Sequence, residues 1–183
     1  MNRPILEQPP SLSAPSIQWK VKGQGVKGLI VDIQEPPDTD FSTGEIIRWP
    51  SGEVKTCKRV ELYVTDTKDG IEAASIPVVP DELVSLWVRG GDLAAWRTAV
   101  YDHGPVKLGD GLSASWVAEA EPSNPKHHKR KIKTFRFWEP TPDMTAAIQA
   151  VNDIHQSKMA QNRADAPVLH TTDSGGTIDD EPF

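Results

Sequence analysis

Residues 58–65 read Lys58-Arg59-Val60-Glu61-Leu62-Tyr63-Val64-Thr65, and their alternation decides the fold class. Val60, Leu62 and Val64 share one face, while Arg59, Glu61 and Tyr63 share the other. A period of two is the signature of a half-buried β-strand. Upstream, Val26-Lys27-Gly28-Leu29-Ile30-Val31-Asp32-Ile33 is rich in β-branched residues and bounded by Gly25 and Pro36-Pro37, so it reads as a strand as well. Between the two, residues 35–56 hold Thr43-Gly44, Pro50 and Ser51-Gly52, the punctuation of a long arm or hairpin. Downstream, Leu83 to Arg89 reads as a third strand, Leu112 to Ala118 as a fourth and Ile132 to Trp138 as a fifth. One helix falls between the third and fourth strands. It runs from Asp92, its expected N-cap, to Tyr101, with Gly104 beyond its end and Leu93, Trp96 and Val100 on one face.

Five strands with a single helix between strands three and four is the layout of an all-β OB-fold barrel, and it is also compatible with another small β-barrel. Composition sets the frame around it. The chain has 183 residues, 37% of them hydrophobic, and 16 prolines, which favours a compact domain with disordered ends over one large core. Residues 1–18 read as a disordered arm, 19–140 as the barrel, 141–160 as an amphipathic helix begun by Thr141-Pro142-Asp143, and 161–183 as a disordered acidic tail. The net charge of −6 is uneven: residues 1–140 carry 18 Lys and Arg against 19 Asp and Glu, and residues 141–183 carry 2 against 7. An acidic tail on a nearly neutral body can hide a basic surface.

Cys57 is the single cysteine, so an intramolecular disulfide and a multi-cysteine zinc site are both excluded. No apolar run reaches the length of a signal peptide or of a membrane helix, which points to a reducing, cytoplasmic setting (the host cytoplasm for a phage protein). His127-His128 has only cations for neighbours and no third ligand nearby in the sequence, so neither a metal nor a cofactor is expected.

Three stretches resemble single-stranded-DNA-binding proteins of actinobacteria and their phages. The arm, Thr39-Asp40-Phe41-Ser42-Thr43-Gly44-Glu45 with Trp49-Pro50-Ser51-Gly52, is similar to theirs and leads likewise into an apolar strand. Gly90-Gly91-Asp92-Leu93 to Tyr101, followed by Lys107-Leu108-Gly109-Asp110, resembles the helix step of bacterial members. Asp179-Asp180-Glu181-Pro182-Phe183 is similar to their acidic tip. The basic loop at 126–131 and the helix at 142–160 are not part of the bacterial pattern. The resemblance implies an OB-fold that coats single strands during replication, recombination or repair, without enzymatic activity, as a homo-oligomer.

A protein that binds single strands without regard to sequence needs aromatic platforms and a cationic track. Tyr63 beside Arg59, Trp49 beside Arg48, and Trp87 on the face of Arg89 are the expected platforms, with Lys58 alongside. Trp96 and Trp116 fall in phase with apolar neighbours and read as core. Residues 126–136 carry six Lys and Arg and no acid: Lys126, Lys129, Arg130, Lys131, Lys133 and Arg136. They lie between strands four and five, where OB-folds present a binding loop. Phe135 shares parity with Lys131 and Lys133, as a binding strand would have it, although the phase of this strand stays open. At the tip, Phe183 can fill an apolar pocket while its carboxylate meets a cation, and Asp179, Asp180 and Glu181 steer toward a basic rim with Pro182 limiting the chain. The rival readings are a protein-interaction adaptor and a metal-dependent nuclease using acids such as Asp32, Asp38 and Asp40.

Overall fold

The computed structural model describes residues 14–40, 42–121 and 129–146, together with Gln149 and Asp153. Residues 1–149 form one unit and 150–183 another, and the architecture below is that of the first. In chain order its elements are β1 (Ile17–Gln18), β2 (Gly25–Gln34), β3 (Lys58–Lys68), β4 (Glu72–Ala73), β5 (Ile76–Pro77), β6 (Leu83–Val88), α1 (Asp92–His103), β7 (Gly111–Ala120) and β8 (Arg130–Trp138).

The five long strands make one antiparallel sheet in the order β6-β3-β2-β7-β8, and the 58–65 segment is a half-buried strand within it, as its alternation predicts. Val60, Leu62 and Val64 are fully buried on one face of β3. They meet Val84, Leu86 and Val88 from β6, Val26 and Ile30 from β2, and Leu112 and Ala114 from β7. α1 closes this core with Trp96 and Ala99, while Leu93 and Val100 pack at its margin. The helix begins one residue earlier than expected: Gly91 is the N-cap and makes no side-chain capping bond. Asp92 is thereby the first helical residue, and its carboxylate takes a different partner, described below.

The sheet's two edge strands, β6 and β8, are not paired with each other. The edge of β6 is covered instead by the N-terminal segment. Ser16 bridges Ser85 in parallel, and the Ser85 N–H donates to Pro15 O at 2.9 Å. An edge strand carries unpaired backbone groups that favour any available partner. For this reason residues 14–18, expected to be disordered with the rest of the arm, lie along β6; residues 1–13 are outside the described residues. β1 then joins the β4–β5 hairpin in a small second sheet, ordered β1-β4-β5. Ala74 and Ser75 turn that hairpin with left-handed φ values of 49° and 64°.

The arm between β2 and β3 is a ladder of isolated bridges, Pro37 to Thr56, Thr39 to Ile46 and Arg48 to Val54. Residues 142–146 are helical, as Thr141-Pro142-Asp143 predicts, and Thr145 N–H bonds Thr141 O. Gln149 and Asp153 are helical too, and the rest of the 141–160 segment is outside the described residues. So are Phe41, Lys126, the histidine pair and the tail from 161 onward.

Candidate nucleic-acid interface

The outer face of β3 and β6 follows directly from the alternation that builds the core. Arg59 stands opposite Trp87 in the β3–β6 register. Two residues on, Arg89 reaches back, so the Trp87 ring has Arg89 at 4.4 Å and Arg59 at 5.8 Å from its centroid. Cations over an indole face are held by the ring quadrupole. Each arginine is also tied to an acid: Arg59 Nη2 is 2.7 Å from Glu61 Oε1, and Arg89 Nη1 is 3.4 Å from Asp38 Oδ1 at the root of the arm. The Trp87 Nε1–H donates to Ser16 Oγ at 3.0 Å, which docks the ring against the N-terminal segment.

That segment carries a site residue the sequence reading missed. Trp19 O accepts a hydrogen bond from Lys131 Nζ, and Lys133 lies 5.7 Å from the Trp19 ring centroid. Lys131 also sits 4.5 Å over the Trp116 ring. Partial burial, and then the neighbouring charge of Lys133, push the Lys131 ammonium below the usual lysine range. Lys133 Nζ is bound to Asp92 Oδ2 at 2.6 Å, which is where the displaced capping residue finds its partner. Between these groups runs a groove of about 490 Å³, lined by Ser16, Ile17, Trp19, Trp87, Arg89, Asp92 and Lys133.

The open phase of β8 resolves by position along the strand. Phe135 and Phe137 point inward and meet the edge of Trp96, with centroids 5.7 and 4.9 Å away. Phe135 is only 8% exposed, so it is a core residue and not a stacking platform. Lys131 and Lys133 do share its parity, but that half of the strand extends past the core. The same face that holds phenylalanine at 135 therefore holds lysine at the groove. Of the remaining cations, Arg136 is exposed, Arg130 lies against the backbone of Gly91, and Lys129 is paired with Glu121 at 2.8 Å.

Two further clusters lie away from the groove lining. On the arm, Trp49 is 51% exposed with Lys55 at 4.2 Å over its ring, and Arg48 Nη1 donates to Gly52 O at 2.9 Å. Lys58 pairs with Glu35. Tyr63, half-buried on the outer face, donates its hydroxyl to Asp81 Oδ1 at 2.6 Å. At the other end of the sheet Trp138 lies across Gly111, where a Cβ would collide with the indole, and Lys27 sits 4.7 Å over that ring.

The pattern common to these places is specific. Five of the six tryptophans, Trp19, Trp49, Trp87, Trp116 and Trp138, carry a lysine or arginine over the ring. Significant cation–π contacts occur at roughly one per 70–80 residues, so this density is high, and four of the five rings, Trp19, Trp49, Trp87 and Trp138, are at least partly exposed. Trp116, read as core, is 4% exposed but stands outside the central cluster, beside Lys131. Trp19, Trp138 and Lys27 carry no local signal because their pairing crosses elements distant in sequence, whereas Lys55 meets Trp49 across the turn of the same arm. Among the described residues no three His, Cys, Asp or Glu side chains gather into a metal-binding set. Asp38 faces Arg89, Asp40 accepts from the Ser42 and Thr43 N–H groups of its own turn, and Asp32 accepts from Gln34. Among the described residues no helix is long and apolar enough to cross a membrane. No family model, curated protein or solved structure matches this chain.

Proposed function

We propose that the protein binds single-stranded DNA without sequence preference, protects it during replication, recombination or repair of a phage genome, and does so without catalysing a reaction. The observation that carries this reading is the set of five tryptophans with lysine or arginine over the ring, Trp87 and Trp138 on the sheet, Trp19 and Trp49 on the segments beside it, and Trp116 buried beneath Lys131. A single strand offers base faces that stack on aromatic rings and phosphates that displace the resting cations from them. Duplex DNA hides its base faces and cannot use such a surface in the same way. The resemblance of the arm and of residues 179–183 to single-stranded-DNA-binding proteins points the same way. On this reading the sheet is an OB-type barrel, with the N-terminal segment filling the seam between β6 and β8. A homo-oligomer, and recruitment of replication or recombination proteins through Asp179 to Phe183, belong to the same proposal.

Titration with oligothymidine and with duplex DNA, read by tryptophan fluorescence at 50 and 200 mM salt, tests it. Quenching by the single strand and not by the duplex is expected. If about four phosphates are neutralised, the affinity falls roughly 50-fold between those salt concentrations. Absence of quenching and of salt-sensitive binding would refute the reading and leave the protein-docking adaptor as the alternative. Loss of the DNA itself in the presence of magnesium would favour a nuclease.

A further inference from the structure

We infer that the groove between the N-terminal segment and the β6 and β8 edges is a slot for one nucleotide, with Trp19 as a base platform opposite Trp87. The inference rests on the single-strand reading above and assigns it a place and a residue. The groove has the volume of a small-ligand site, about 490 Å³ against roughly 300–1,000 Å³ for such pockets. Its lining is of two kinds. Trp19, Trp87 and Ile17 supply apolar and aromatic wall, the surface a base needs. Arg89 and Lys133, paired with Asp38 and Asp92, are the cations that a flanking phosphate meets, and Ser16 adds a hydroxyl. Asp92 competes with the phosphate for the Lys133 ammonium.

The N-terminal segment is fastened where a wall must be rigid. Ser85, fully buried, donates its N–H to Pro15 O and its hydroxyl to Ala14 O at 3.0 Å. Trp87 Nε1–H holds Ser16, and Lys131 holds Trp19 O from the opposite edge. The segment is thus pinned to both sides of the groove by groups that do not face into it alone. A segment that merely covered the cations would oppose the strand, and the two roles predict opposite signs when Trp19 is altered.

Oligothymidine titrations of the full chain, of Trp19→Leu and of Trp19→Phe, each with a melting curve, distinguish them. The leucine variant keeps the apolar bulk and loses the π-face. It is expected to bind roughly 5- to 150-fold more weakly, the range for one lost stacked base, while the phenylalanine variant recovers most of that loss. A leucine variant that binds as tightly as the parent, or more tightly, overturns the slot and leaves the single-strand reading standing. A parent chain that binds no single strand removes both. Independently of any variant, photo-cross-linking the unaltered chain to oligothymidine carrying 5-iododeoxyuridine is expected to attach it at Trp19 and Trp87. Attachment confined to other residues overturns the assignment.

Discussion

Replacing Trp87 by alanine separates stacking from charge. The ring stands between Arg89 at 4.4 Å and Arg59 at 5.8 Å and is only partly buried. Its removal deletes no charge, so the electrostatic part of binding keeps its strength. Loss of one stacked base is worth about 1–3 kcal/mol, which is roughly a 5- to 150-fold weaker affinity. The fold loses a similar amount. One neutral hydrogen bond, to Ser16, contributes about 0.5–1.5 kcal/mol, and each of the two cation–π contacts, to Arg59 and Arg89, contributes about 0.5–1 kcal/mol. A domain with an ordinary stability of roughly 5–15 kcal/mol stays folded after such a change. The assay is fluorescence anisotropy of labelled oligothymidine at several salt concentrations between 50 and 200 mM. The Trp87→Ala line is expected to be displaced parallel to that of the parent. The control, Lys133→Met, removes one cation and is expected to flatten the log–log slope by about 0.7. An unchanged affinity in Trp87→Ala, or a change confined to the slope, would refute stacking at this ring.

Trp96 is buried against the edges of Phe135 and Phe137, so Trp96→Ala is expected to lower the unfolding free energy by about 3–5 kcal/mol in a denaturant titration. Phe135→Leu keeps its position apolar and is expected to leave oligothymidine affinity unchanged; a loss of affinity without a loss of stability would return Phe135 to the binding surface. Cys57 is 1% exposed and burial raises its thiol pKa, with the nearby Arg89 opposing. Native protein at pH 8 is therefore expected to react with a thiol reagent only on unfolding, and rapid labelling of folded protein would contradict the burial. The hydrogen bond to Asp81 raises the pKa of Tyr63, with desolvation adding to it. A raised folded pKa means that this contribution to stability is present below the unfolded tyrosine value and is lost as pH rises through the folded one. Absorbance titration should show one of the two tyrosines ionising late, and Tyr63→Phe should remove that late step.

Much of the sheet was legible because its signal is local. Val60, Leu62 and Val64 alternate with Arg59, Glu61 and Tyr63, and the strand they predict begins at Lys58 as observed. The other four long strands and the helix also fall within a few residues of their expected spans. The two-residue strands β1, β4 and β5 were not legible, since a strand of two residues has no period to read. The site divides in the same way. Trp87, Arg59 and Arg89 are close in register and alternate on one face, so their grouping could be anticipated. Phe135 could not be placed, because one face of β8 passes from core to groove along its length.

Alternation and turn residues by themselves determined that this chain forms five long strands with a helix between the third and fourth, and an outward face of arginine and tryptophan. Side-chain burial depends on neighbours two to four residues away in such elements, and those neighbours are written in order. Only the tertiary structure decided which tryptophans meet which cations. Lys133 to Trp19 and Lys131 to Trp116 join residues that chain order keeps apart. The open edge of β6 decided the rest: its unpaired backbone drew in Pro15 and Ser16, and the Ser85 hydroxyl holds Ala14 O. Edge pairing is set by which strands remain unpartnered once the sheet has formed, and no local pattern in the sequence carries that information.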